Sequence, residues 1–283
     1  MTTTQTFDSW VKYSRSNFDA KLRLFGFSSA GGEALSFSSW SADIKPDIQV
    51  CPIELPGHGL RQKENPFTHV EPLIETLALA LLPYLDKPFA FFGHGMGGLI
   101  SFELAHLLRK DYGQSPVHLF ISSHRAPQIP LLELPIHNLP EPEFINQLRR
   151  FDRMFEAVLE NAELTKLLLP TLRADFAILE TYVYTPRPRL NCPITALGGL
   201  QDSRVSCNDL EAWREQTNVN FSMQMFKGNH SFIRSAQPLL RQFLNQELQI
   251  IFREHKLGSE SLAKLSPGAI NIARNSCRRL YRI

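Results

Sequence analysis

The stretch FAFFGHGMGGLISFELAHLLRK, residues 89–110, runs from an apolar segment through a glycine-rich turn into an amphipathic pattern. Phe89, Ala90, Phe91 and Phe92, closed by Gly93, suit a strand buried on both faces. Ile100, Leu104 and Leu107 then recur at the four- and three-residue spacing of a helix. A strand, a tight turn and a helix in that order form half of a βαβ unit, so the chain is expected to be an α/β protein with a mostly parallel sheet and helices on both faces. The same alternation extends outward. Strands are predicted over Leu22 to Phe27, Ile48 to Ile53, Phe89 to Gly93, Val117 to Ser122, Pro193 to Gly199 and Asn220 to Phe226. Helices are predicted over Pro72 to Tyr84, Gly97 to Lys110, Cys207 to Gln216 and Ser231 to Glu254.

One connection is too long for a compact sheet. Residues 133–184 include EPEFINQLRRF and ELTKLLLPTLRADFAILETY, and they read as a helical lid inserted between the fourth and fifth strands. Its Leu164, Leu167, Leu168, Leu169, Phe176 and Leu179 suit an acyl-chain channel and packing against the sheet equally well. The domain is predicted over residues 1–254. Residues 255–283, with Gly258, Ser259, Pro267 and Gly268, read as a detached basic tail. Six Lys/Arg against Glu260 give that tail a charge of +5, within a chain whose net charge is +2. A solvated tail explains it, and no function is assigned to it.

Hydrophobic residues make up 43% of the 283 and charged ones 20%, which supports a large core and argues against disorder. The longest apolar run, near Leu77 to Leu82, is too short to cross a bilayer, and MTTTQTFDSW lacks the order of a signal peptide. A cytoplasmic monomer that binds no nucleic acid is expected. Cys51, Cys192, Cys207 and Cys277 show no metal-ligand spacing and are expected to be free thiols; no metal or other cofactor is expected.

The turn after Phe92 has the frame of a nucleophile elbow, G-x-S-x-G, in which a sharp strand-to-helix turn lifts a serine hydroxyl above the end of the sheet. Gly93, His94, Met96 and Gly97 fit the frame, and Gly95 stands at the serine position. Asp202, in GGLQDSRV, and His230, in KGNHSF, follow the fifth and sixth strands in the order nucleophile, acid, histidine. In that arrangement the histidine takes the nucleophile's proton, and the aspartate fixes its tautomer and stabilises its charged form. Each alone has a plainer reading, Asp202 as a helix N-cap and His230 as an exposed loop residue. The turn GFSSAGGEALSFSSW after the first strand can aim backbone N–H groups at an oxyanion, with Ala30 and Met96 as the expected donors. Ser123 and His124, at the end of the fourth strand, either edge the cleft or cap the loop.

SSAGG with Trp40, LPGHGLR (Leu55 to Arg61), GHGMGG (Gly93 to Gly98), GGLQD (Gly198 to Asp202) and GNHSF (Gly228 to Phe232) occur in one order over roughly residues 20–250. In this the chain resembles the stand-alone, type II thioesterases of peptide and polyketide assembly lines, which are α/β-hydrolases. The resemblance implies hydrolysis of acyl groups from phosphopantetheine thioesters on acyl- or peptidyl-carrier domains, through an acyl-serine. Gly95 departs from that pattern and removes the acylation step. Three explanations stay open: an altered codon, a pseudo-enzyme that binds acyl carriers, and a displaced nucleophile. For the last, Ser28, Ser29 and Ser101 lie nearby in sequence, and a water activated by His230 is a further route. Gly93, Gly95 and Gly98 also satisfy G-x-G-x-x-G, the dinucleotide fingerprint, but the next strand ends without the acidic residue that would hold a ribose.

Overall fold

The computed structural model describes residues 9–12, 17, 19–131, 133–151 and 155–264. Six strands form one parallel sheet in the order β2-β1-β3-β4-β5-β6. They are β1 (Leu22–Phe27), β2 (Ile48–Pro52), β3 (Phe89–His94), β4 (His118–Ser122), β5 (Ile194–Gly199) and β6 (Phe221–Phe226). All six predicted strands are present, with ends within one residue of those predicted. The helices are α1 (Trp40–Asp43), α2 (Val70–Leu81), α3 (Met96–Tyr112), α4 (Glu141–Phe151), α5 (Glu156–Leu159), α6 (Ala162–Thr181), α7 (Cys207–Glu211), α8 (Phe232–Ser235) and α9 (Gln237–Lys264).

Alternation along the strands divides the core into two layers. Phe25, Phe27, Phe91, Leu119 and Ile121 point to the face covered by α2, α3 and the lid. Leu22, Leu24, Phe92 and Phe120 point to the other face, against Phe37, Trp40 and α9. Leu240, Leu244 and Leu248 repeat every four residues along α9 and bury one stripe of it there. The inserted segment forms α4, α5 and α6, helical as its sequence predicted. Asn161 caps α6 by accepting from the Glu163 and Leu164 N–H groups.

The C-terminal helix departs from expectation twice. It breaks at Ala236, dividing the predicted Ser231 to Glu254 helix into α8 and α9. It then continues past the predicted 254/255 boundary to Lys264, through Gly258 and Ser259, so the first part of the expected tail is helical. Gly in a helix interior costs only about 1 kcal/mol, and the Glu, Leu, Ala and Lys residues around it favour helix. The rest of the tail, with Cys277, lies outside the described residues.

Strand order reverses between β1 and β3. Their following loops diverge there and open a crevice at the strands' carboxyl ends, where α/β sheets bind ligands. Phe27 pairs with Gly93 across this boundary, which sets the SSAGG turn beside the glycine turn.

Candidate active site

The turn between β3 and α3 keeps the elbow conformation without a side chain at its centre. Gly95 has φ 53° and ψ −120°, a backbone that L side chains adopt only under strain. Its N–H donates to the Ser122 carbonyl (2.8 Å), and its carbonyl accepts from Gly98 N–H (2.9 Å). The flanking glycines are filled by the protein itself. A Cβ on Gly93 would stand 2.1 Å from the Gly97 carbonyl oxygen, one on Gly97 2.2 Å from the Phe27 oxygen, and one on Gly98 2.9 Å from the His124 Cβ. They serve strand–helix packing and leave no backbone open for a pyrophosphate, which removes the physical basis of the dinucleotide reading.

Asp202 and His230 meet. His230 Nδ1 lies 2.9 Å from one Asp202 carboxylate oxygen, and the other oxygen accepts from the Arg204 N–H (2.9 Å) and the Val205 N–H (3.2 Å). Asp202 thus orders its own turn while holding the imidazole; the cap of the following helix α7 is Ser206. Burial works against the Asp202 charge, but the hydrogen bond and charge of His230 and the two N–H groups hold its pKa below the usual carboxylate value. Ser123, at φ 47°, donates its hydroxyl to the His230 carbonyl (3.2 Å), so it positions the histidine loop. Burial, with the repulsion of His230, lowers the pKa of His94 to about 3. A neutral His94 makes a 2.9 Å hydrogen bond from Nδ1 to the Ser122 hydroxyl and stays uncharged beside His230.

An ideal Cβ placed on Gly95 stands 4.0 Å from His230 Nε2, a gap that a serine hydroxyl would bridge. Asp202, His230 and the glycine turn are therefore brought together around Gly95. Among the described residues, neither the Ala30 nor the Met96 N–H has an acceptor, and Met96 opens α3, where N–H groups lack intrahelical partners. A cavity of about 520 Å³ adjoins, bordered by Ser28, Ser29 and His94 on the sheet side and by Phe155, Val158, Leu168 and Leu172 of the lid. Of the lid residues considered for a channel, Leu168 borders it. Leu169 and Phe176 are buried in the core, Leu179 packs against it, and Leu164 and Leu167 are exposed.

A second polar cluster has no sequence signature. His58, of LPGHGLR, and Asp175, of α6, are both buried, and His58 Nε2 lies 2.9 Å from the Asp175 carboxylate. His58 Nδ1 donates to the Pro56 carbonyl (3.1 Å), and Gly31 N–H, next to Ala30, donates to the same Asp175 oxygen (2.7 Å). The Thr171 hydroxyl of α6 also donates to the Gly57 carbonyl (2.8 Å). Burial alone would lower the His58 pKa, but the charge and hydrogen bond of Asp175, with help from Pro56 and Glu54, raise it to about 9. Three segments distant in sequence (the SSAGG turn, the LPGHGLR loop and the lid) are held by this one charged pair. Arg61 braces the loop from the other side, donating to the Glu54 carbonyl (3.0 Å) and stacking on Trp10.

A parallel sheet with a glycine elbow after β3, a carboxylate–imidazole pair on the loops after β5 and β6 and a helical insertion between β4 and β5 defines an α/β-hydrolase. Within that class the thioesterase domain model matches residues 22–247, and the chain belongs to the thioesterase family. It is 42% identical over 251 residues to the gramicidin S biosynthesis protein GrsT of Aneurinibacillus migulanus, covering 89% of this chain and 98% of that one. It is also 42% identical to the linear gramicidin dehydrogenase LgrE of Brevibacillus parabrevis, covering 85% and 92% of the two. Among solved structures, the type II thioesterase BorB of the borrelidin biosynthetic cluster superposes with a TM-score of 0.78 at 31% identity, covering 85% of this chain and 98% of that one. Among the described residues no helix is long and apolar enough to cross a membrane.

Proposed function

We propose that this protein acts on acyl groups held as phosphopantetheine thioesters on the acyl- or peptidyl-carrier domains of a peptide or polyketide assembly line, and that Gly95 impairs its hydrolysis. The observation that carries this reading is the Asp202–His230 pair with Nε2 4.0 Å from a Cβ on Gly95, beside a lid-covered cavity. The family, and the assembly-line relatives within it, support carrier-bound thioesters over free esters. Asp202 holds the imidazole with Nε2 facing the reacting centre, and the Ala30 and Met96 N–H groups are the donors for an oxyanion. In triad hydrolases, loss of one member leaves about 10³–10⁴-fold acceleration over water. A cytoplasmic monomer is the form expected to meet its carriers.

The empty nucleophile position favours one second reading, a non-catalytic protein that binds acyl carriers and keeps the pocket. Both readings meet in one experiment. Acyl release from an acyl-phosphopantetheinyl carrier protein is followed with the parent chain and with Gly95→Ser, each with and without His230→Ala. The proposal expects Gly95→Ser to exceed the parent by at least about a hundredfold, with the gain lost on removing His230. Tight carrier binding with no release by either form would establish the binding protein instead.

A further inference from the structure

We propose that the hydroxyl of Ser29 serves as the substitute nucleophile of this site, so that the residual turnover of the parent chain passes through an acyl-Ser29. The inference rests on the thioester reading above for its substrate, and on geometry for its nucleophile. The volume vacated at Gly95 is entered from the opposite wall. The point an elbow Cβ would occupy is 3.1 Å from the Ser29 Cβ and 4.0 Å from His230 Nε2. As placed, the Ser29 oxygen is turned away, no nearer that point than His230 Nε2; a rotation about its Cα–Cβ bond, between staggered positions, carries the oxygen toward the space between the elbow and the imidazole. Among the described residues neither that hydroxyl nor His230 Nε2 has a hydrogen-bond partner, whereas His230 Nδ1 is held by Asp202. Ser29 also borders the cavity and directly precedes Ala30, whose N–H is an expected oxyanion donor.

The other candidate hydroxyls are otherwise placed. Ser101 is fully buried in α3 and donates to the Gly98 carbonyl (3.0 Å). Ser123 donates to the His230 carbonyl, and Ser28 is buried, its Cβ 2.9 Å from where a Cβ on Gly32 would stand.

In the first step the Ser29 oxygen attacks the thioester carbonyl carbon while His230 Nε2 takes the hydroxyl proton. The C–S bond breaks, and the pantetheine sulfur leaves as a thiol carrying that proton. In the second step His230 deprotonates a water that attacks the Ser29 ester, releasing the carboxylic acid and returning the proton to Ser29.

The test labels the intact protein with a fluorophosphonate and maps the modified peptide by mass spectrometry, with Gly95→Ser as the positive control. The expected result is a label on Ser29 in the parent that disappears in Ser29→Ala and falls about tenfold or more in His230→Ala. Acyl release by the parent should fall likewise in Ser29→Ala and persist in Ser29→Cys, which keeps a nucleophile in the same place. No label on the parent under conditions that label Gly95→Ser at position 95 would overturn the proposal. Parent-level acyl release by a folded Ser29→Ala would overturn it too, in favour of a water activated by His230. If Gly95→Ser is labelled yet releases no acyl group from a carrier, the thioester reading fails, while a label on Ser29 in the parent still upholds its role as nucleophile.

Discussion

Asp175→Asn tests the clamp that joins lid, LPGHGLR loop and SSAGG turn. The His58 pKa, raised from 6.5 to about 9, means that the fold favours the protonated imidazole over the neutral one. At 1.36 kcal/mol per pKa unit the preference is about 3 kcal/mol. Because the folded value lies above the unfolded one, this stabilisation is complete below pH 6.5, declines as pH rises, and is gone above pH 9. Histidines with lowered pKa, such as buried His94 and half-buried His124 at about 3, act in the acid range and leave the window between neutrality and pH 9 clear. Asparagine keeps the shape of Asp175 but removes the charge that holds the imidazolium. The assay is urea unfolding of parent and Asp175→Asn at about pH 6, 7.5 and 9, read as the difference in unfolding free energy. That difference should shrink by roughly 3 kcal/mol from the lowest to the highest pH, whatever constant offset the substitution adds. A constant difference across the series would refute the argument, because His58 would then be neutral in the fold and Asp175 no counter-ion to it.

Two further outcomes follow from the same geometry. Gly95→Ser, expected to restore acyl release, should lower unfolding stability by about 1–3 kcal/mol, since a side chain is then held at φ 53° with its Cβ 3.1 Å from that of Ser29; a stability equal to the parent's would show that the turn relaxes. Brief iodoacetamide treatment of the native protein, mapped by peptide, should modify exposed Cys207 and spare buried Cys51 and Cys192, whose thiol pKa values burial pushes up to about 12; modification of either buried thiol at the rate of Cys207 would contradict the packing of β2 and of the segment before β5.

The strands and the elbow were legible because their determinants are local. Phe89 to Phe92 are buried on both faces, so the run itself marks the strand, and Gly93, Gly97 and Gly98 mark a strand and helix too close for side chains. Asp202 and His230 were legible because each follows a recognisable strand, and adjacent parallel strands deliver their loops to the same edge. The His58–Asp175 clamp was not, since its partners are 117 residues apart and a carboxylate inside an amphipathic lid helix reads as an exposed one. The end of α9 was misread because glycine and serine in sequence suggest a break, whereas one glycine is outweighed by neighbours that favour helix.

The conformation at Gly95 does not come from Gly95. Glycine reaches many backbone states, so its hold at φ 53° must come from what surrounds it: the 2.8 Å bond to Ser122, the 2.9 Å bond from Gly98, and close contacts that fix β3 against α3. With serine at the centre, that frame would work against a backbone strain of about 1–3 kcal/mol. With glycine it works against almost none, so exchanging one for the other should leave the fold and the Asp202–His230 pair in place and, under the proposed function, move stability and turnover in opposite directions. The sheet switch point, the glycine packing and the His58–Asp175 clamp set the geometry of the crevice; under the proposed function, the residue at 95 decides only which oxygen reacts there. On the Ser29 proposal, a hydroxyl on the facing loop would use the same histidine and the same two N–H groups.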